Sequence, residues 1–299
     1  MTCYHPLLAY KDNGNIVFNK PAAYATGFNL PCGQCIGCRL KKSQEWAVRL
    51  MHENQMHDES MFITLTMSPE YLATRENPHS LDKTEFQKFM KRLRRKYGKK
   101  IKYFHCGEYG EKNYRPHYHA IVFGLEFDDK SLFQIRDGIR LYTSQQLTQL
   151  WPYGFSTIGD VTFESAAYVA RYVTKKVTGK NAENHYVRWD PLTGEGTPIQ
   201  PEYATMSRGR QHGDGIGGSW FKKYKSDVYP NDYVVIKKHK IRPPRYYDKL
   251  LPEDELEEIK AKRIEELPEV IDEYNEAMDR LWVQEAVKEK KLENLIRNL

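Results

Sequence analysis

Hydrophobic positions along the chain change their period several times, and each change marks an element. From Arg39 to about His57, Leu40, Trp46, Ala47, Leu50 and Met51 recur at helical spacing. "MFITLTM" (61–67) alternates instead, with Phe62, Thr64 and Thr66 on one face and Ile63 and Leu65 on the other, which predicts a strand. "DKTEFQKFMKRLRRKYG" (82–98) returns to steps of three and four through Phe86, Phe89, Met90, Leu93 and Tyr97. Asp82 and Glu85 stand in capping-box spacing at its start and Gly98 closes it. "IKYFHC" (101–106) and "HYHAIVFG" (117–124) read as strands on either side of a polar loop. A short helix near 143–151, a strand near 155–163 and a helix over 164–177 follow.

This order, β-α-β-β-α-β-α, predicts an α+β fold: a central antiparallel sheet with flanking helices, of the split βαβ or RRM-like kind. Three segments are expected: 1–57 with a cysteine cluster and a helix packed on the core, 58–250 as the main domain, and 251–299 as a helical tail. Within the main domain, "SRGRQHGDGIGGSWFKKY" (207–224) reads as a Gly-rich basic loop without Walker spacing, and "RPPRYYD" (242–248) as an extended linker. The tail from Glu253 reads as two charged helices broken near Pro268.

Charge sharpens this division. The 299 residues carry a formal net charge of +6, but residues 251–299 hold 15 Asp/Glu and 8 Lys/Arg. The first 250 residues therefore carry 38 Lys/Arg against 25 Asp/Glu, a basic body with an acidic tail. Such a body suits a polyanion, nucleic acid first, and the 21 tyrosines offer faces on which bases can stack. No apolar run is long enough to span a membrane, and "MTCYHPLLAYKDNG" lacks the pattern of a secretory signal, so a soluble intracellular protein is expected.

Candidate chemistry gathers at three places. His117 and His119 share a strand face, roughly 6.5 Å apart along the chain, and can converge on one divalent ion. Glu108, where the preceding strand meets theirs, makes this a mixed N/O set suited to Mg²⁺ or Mn²⁺ once a substrate phosphate completes the shell, with Glu111 as a competing donor. His105 and Cys106 read as ordinary strand residues. In "AAYVARYVTKK" (166–176), Tyr168 and Tyr172 lie one helical turn apart, about 6 Å along the axis, with Lys175 and Lys176 just beyond. A bland reading, tyrosines at the core edge of an amphipathic helix, competes with a functional one. Finally, Cys32, Cys35 and Cys38 form C-x2-C-x2-C, with Cys3 as a fourth thiolate or His5 in its place. Four thiolates make a closed structural Zn²⁺ site; an iron–sulfur cluster is the alternative.

The combination resembles a known family. His117-Tyr118-His119 resembles the HUH motif of single-strand-nicking endonucleases, "FITLT" the first motif of rolling-circle initiators, and "YVARYVTKK" their two-tyrosine motif. Metal motif before tyrosine is the initiator order, the reverse of relaxases. With "PCGQCIGCR" and "MSRGRQHGDGIGGSWF", the stretch from about Cys3 to Tyr224 is similar to the replication initiation proteins of gokushoviruses, small single-stranded DNA phages. "RGRQHGDGIG" is longer than the compact Pro-Gly-Ile-Gly turn expected there.

The resemblance implies an HUH endonuclease fold and metal-dependent nicking and rejoining of phage origin DNA. It implies Tyr168 and Tyr172 as nucleophiles forming a 5′-phosphotyrosine, and Lys175, with Lys176 as understudy, steadying the phosphate or leaving oxygen. It also implies host helicase and polymerase as partners, in the bacterial cytoplasm. Two other expectations compete. One is a non-catalytic single-stranded nucleic-acid binder with a zinc knuckle, although the RNP1 pattern is missing. The other is a metallohydrolase that uses water.

Overall fold

Strands whose two faces are both covered read as continuous apolar runs rather than clean alternation, and "SMFITLT" and "HAIVF" follow this rule. A computed structural model describes residues 3–12, 15–22, 27–98, 100–110, 113–172, 181–190, 192–209, 214–266 and 274–293. Its elements begin with β1 (Leu7–Asp12), β2 (Asn15–Val17), β3 (Gly27–Leu30), α1 (Ile36–Asn54), β4 (Ser60–Thr66), α2 (Pro69–Ala73) and α3 (Lys83–Tyr97). Then come β5 (Lys102–Tyr109), β6 (Pro116–Phe123), β7 (Ser131–Arg136), β8 (Ile139–Thr143), α4 (Gln145–Leu150), β9 (Ser156–Gly159) and α5 (Phe163–Arg171). The remainder is α6 (Asn181–His185), β10 (Val187–Trp189), β11 (Gly196–Pro198), β12 (Tyr203–Met206), α7 (Gly218–Val228), β13 (Val234–Ile236), β14 (His239–Ile241), α8 (Arg245–Asp248), α9 (Glu253–Glu265) and α10 (Tyr274–Glu293).

The chain forms two compact units, one of 1–45 with 226–297 and one of 46–225 with the last two residues. In the second, seven strands make one antiparallel sheet in the order β12-β5-β6-β4-β9-β8-β7. The α+β class with helices flanking a central antiparallel sheet is therefore the fold. On one face, Phe86, Phe89, Met90 and Leu93 of α3 bury against Ile63, Leu65, Tyr118 and Val122. On the other, Ala166, Val169 and Ala170 of α5 and Ala47 and Leu50 of α1 bury against Phe62, Phe104, Ile121 and Phe123. Each such large side chain contributes about 1.5–3 kcal/mol relative to exposure. The sheet is thus held rigidly between two apolar layers.

Several expectations need amendment. The β7–β8 hairpin and β12 add to the elements that periodicity predicts. Asp137-Gly138, both at positive φ (49° and 80°), form the tight turn that makes the hairpin. Asp82 caps α3 through Thr84 N–H at 2.8 Å, but Glu85 does not turn back to complete a box. It is buried instead, accepting from Tyr71 at 2.9 Å and Tyr118 at 2.5 Å, and it pairs with Arg75. The Gly-rich basic loop gives way at Gly218 to helix α7.

In the other unit β2-β1-β3 form a small sheet. The "linker" 242–248 ends as helix α8, with Tyr247 buried and Asp248 sharing Arg263 of α9 with Asp232. Among the described residues no helix is long and apolar enough to cross a membrane.

Candidate metal and nucleophile site

Register brings the site together. Glu108 of β5 lies directly opposite His117 of β6, and Thr64 of β4 lies opposite His119. Alternation along β6 turns His117 and His119 to the α5 side and Tyr118 to the α3 side, where it is fully buried. Glu108 Oε1 is 3.0 Å from His117 Nε2 and 2.8 Å from His119 Nε2. Donor atoms of these three residues all lie within 4.8 Å of one another. Glu108 and His119 are closed off, each with 3% of its side chain exposed, while His117 keeps 18%, so solvent reaches the cluster past His117.

The outer nitrogens are held as well. His117 Nδ1 sits 3.0 Å from the Arg115 carbonyl, and His119 Nδ1 sits 3.0 Å from Thr64 Oγ1. A carbonyl only accepts, so the His117 Nδ1 carries the hydrogen there and its Nε2 presents a lone pair to Glu108. A lone pair facing a carboxylate oxygen requires positive charge between them, from a proton or a metal cation. Two imidazoles and one carboxylate fit a divalent ion with open positions. Burial alone would push the Glu108 carboxyl up, but hydrogen bonds and charge from His117 and His119 hold it well below the usual carboxylate range.

Helix α5 brings the tyrosines to the same carboxylate. Thr162 and Ser165 form a reciprocal capping box at its start, fixing where the helix begins and so where residue 168 falls. The Tyr168 hydroxyl donates to Glu108 Oε1 at 2.9 Å, and its ring stands edge-on to His119 with centroids 5.1 Å apart. Tyr172, one turn later, is hydrogen-bonded to both Glu108 and Tyr168. Burial raises both phenols above their ordinary range, and the Glu108 charge raises them further. Glu111, Lys175 and Lys176 lie outside the described residues.

His105 and Cys106 behave as strand residues. His105 faces α3, stacked on Phe86 at 3.4 Å, with Nδ1 3.0 Å from Thr205 Oγ1. Cys106 is buried in the core on the α5 side. Thr64 joins the site as a residue that sequence reasoning misses; its signal is the register of "FITLT" against the histidine strand.

The second cluster lies in the N-terminal segment. Cys3, Cys32, Cys35 and Cys38 bring their sulfurs within 4.8 Å of one another, all as free thiols. Cys3 and Cys35 Sγ are 3.9 Å apart, far beyond a disulfide and near the roughly 3.8 Å that tetrahedral coordination with 2.3 Å metal–sulfur bonds requires. Backbone N–H groups of Tyr4 and Cys38 point at Cys35 Sγ, at 3.3 and 3.5 Å. Burial opposes ionisation of Cys35, yet these bonds outweigh it and bring its pKa down to about 6. His5 is turned to Glu285 of α10 at 2.5 Å, so Cys3 and not His5 is the fourth member.

Comparison with known proteins assigns the family. A family model for replication-associated proteins of the ORF2 type matches residues 60–177, the stretch that runs from β4 past α5. Replication-associated protein VP4 of Bdellovibrio phage phiMH2K is 33% identical, aligned over 83% of this chain and 76% of its own length. The chain belongs to the replication-associated proteins of microviruses. Replication-associated protein ORF2 of Spiroplasma virus 4, 31% identical, aligns over 100% of this chain and 97% of its own. Replication-associated protein ORF4 of Chlamydia phage 1 is 31% identical over 75% of this chain and 54% of its own length. No solved structure matches. Family membership gives the chain a role in phage DNA replication, and the matched stretch contains Glu108, both histidines and both tyrosines.

Proposed function

We propose that this chain is a two-tyrosine HUH endonuclease and strand transferase that starts rolling-circle replication of phage DNA inside the infected host cell. One observation carries the reading: the Tyr168 hydroxyl bonds the same carboxylate oxygen that faces both histidines. Glu108, His117 and His119 would hold Mg²⁺ or Mn²⁺, which supplies positive charge against a phosphodiester oxygen and eases ionisation of a neighbouring phenol. The chain's own residues do the rest. Thr64 and the Arg115 carbonyl fix the imidazole orientations. The α5 helix presents two phenol oxygens side by side, their rings 5.3 Å apart.

In the reaction, a phenol oxygen of Tyr168 or Tyr172 forms the bond to phosphorus as the bond to the 3′ oxygen breaks. The phenol gives up its proton and the leaving oxygen gains one, yielding a 5′-phosphotyrosine and a free 3′-OH. Bond energy is conserved in the adduct, so resealing needs no ATP. Two adjacent tyrosines let one hold the displaced strand while the other cuts the regenerated origin. Lys175 steadies the phosphate or leaving oxygen in this reading. Residues 58–250 form the catalytic piece, Cys3, Cys32, Cys35 and Cys38 hold a structural Zn²⁺, and host helicase and polymerase unwind and extend the primed circle.

The ends of the cut strand test this. After reaction with a single-stranded phage-origin oligonucleotide and Mn²⁺, the upstream fragment should prime a DNA polymerase, and the downstream fragment should resist 5′ kinasing until protease treatment and phosphotyrosine cleavage. A free 5′-phosphate would show attack by water and replace the reading with a metallohydrolase. Intact DNA across a broad pool of phage origins, with tight single-strand binding retained, would replace it with a non-catalytic binder.

A further inference from the structure

The metal cluster sits near the end of β5; a basic groove lies at its beginning. This groove, about 1490 Å³, runs between the C-terminal half of α3, the start of β5 and the end of β12. Lys91, Arg95, Lys100 and Arg208 line it, all exposed, and none of the four has an ion-pair or hydrogen-bond partner among the described residues. The two other cations there are engaged: Lys102 pairs with Glu53 at 2.9 Å, and Arg94 donates to the Ile101 carbonyl at 3.0 Å. The single acid, Asp214, is already tied to Lys222 at 2.7 Å. The floor is apolar, formed by Met90, Met206 and the half-buried ring of Tyr103, over which the Arg94 guanidinium lies at 5.4 Å.

Four uncompensated cations converging on one concavity repel one another, and a polyanion in the groove relieves that repulsion. Scattered over a solvated helix face they would need no partner; gathered around an apolar floor with an aromatic ring they match the layout of a single-strand track. In such a track, cations follow the phosphates and an aromatic or apolar floor takes the bases. Smooth duplex contacts phosphates alone and leaves such a floor unused.

We propose that this groove is a second binding track for single-stranded DNA, distinct from the cutting site and holding a flank of the nicked strand. From Lys102 to Glu108 is six residues of strand, about 20 Å, so a nucleotide in the groove is not the one being cut. The inference rests on the DNA-processing reading above and adds a place where the strand is held.

The test uses the full chain and fluorescence anisotropy with a labelled single strand of about 30 nucleotides, titrated over a range of salt. The variant Lys91→Gln/Arg95→Gln/Lys100→Gln/Arg208→Gln removes the four free charges, and Lys88→Gln/Lys96→Gln serves as a control on the same helix outside the groove. The four-fold variant should bind at least tenfold more weakly at about 0.1 M salt. Its slope of log K against log salt should fall by about 3, that is four phosphates at about 0.7 each, while the control changes little. Its cleavage rate at saturating DNA and its melting temperature should match the unmodified chain.

An unchanged affinity and slope would overturn the proposal. So would a loss equal to the control's, or one confined to a duplex probe. If the groove variant loses binding but the unmodified chain never forms a metal-dependent adduct, the groove stands and the nicking reading falls.

Discussion

The hydroxyl of Tyr168 and the carboxylate of Glu108 share a hydrogen bond of 2.9 Å, and the accepting oxygen is the one that faces His117 and His119. A candidate nucleophile and a candidate metal ligand are thus coupled through one atom. Tyr172 joins the same carboxylate, so either phenol can reach the centre with little movement of α5. The two roles cannot be tuned separately at Glu108, which makes the residues behind the ligands the informative ones to change.

Thr64 is such a residue. It touches neither tyrosine in the hydrogen-bond pattern but holds His119 Nδ1 at 3.0 Å. Thr64→Val keeps the shape and removes the hydroxyl. Outer partners of metal-bound histidines are typically worth 10–100-fold in affinity. Calorimetric titration with Mn²⁺ should therefore show at least tenfold weaker binding, with thermal stability lowered by only about 1 kcal/mol. Undiminished Mn²⁺ affinity would remove His119 from the ligand set.

The cysteine cluster should separate stability from chemistry. Elemental analysis of protein purified without chelator should give one zinc per chain. Cys35→Ser, which removes the buried sulfur that receives the Tyr4 and Cys38 amides, should lose that zinc and lower the melting temperature. Mn²⁺-dependent cutting below that temperature should persist, because the four sulfurs and the Glu108 cluster belong to different compact units.

His52 gives a pH prediction. It is buried and stacked on Trp220 with ring centroids 3.5 Å apart, and burial lowers its pKa to about 3. The unfolded chain takes up this proton near pH 6.5 while the folded chain does not. Stability from this group is therefore complete above about pH 6.5 and is lost as pH falls from there toward 3. Denaturant titrations between pH 7 and 4 should show a slope that shrinks by up to one proton in His52→Gln. An unaltered slope would mean the folded chain already carries that charge.

How much of the fold and site is legible in the sequence depends on the range of the interactions. Local periodicity is enough for α3, β4 and β6, and a period of two places His117 and His119 together. Glu108 is reachable because its partner lies only nine residues away across one turn. The β7–β8 hairpin has a local signal in Asp137-Gly138, which the periodicity of apolar positions alone passes over. By contrast, β12 pairs with β5 across about a hundred residues, and no local pattern announces it. Glu85 shows how tertiary packing overrides a local rule: a capping-box spacing is present, but two tyrosine hydroxyls claim the carboxylate. The basic groove is hidden for the same reason, its cations coming from α3, the turn after it and the segment after β12.

The most direct measurement is mass spectrometry of the DNA-linked peptide after reaction of the full chain with a single-stranded phage-origin oligonucleotide and Mn²⁺. The nicking reading predicts a denaturation-resistant adduct that disappears with EDTA, with the nucleotide phosphate on Tyr168 or Tyr172, and no adduct from Tyr168→Phe/Tyr172→Phe. An adduct on any other residue, or one that survives the double substitution or removal of the metal, would contradict it.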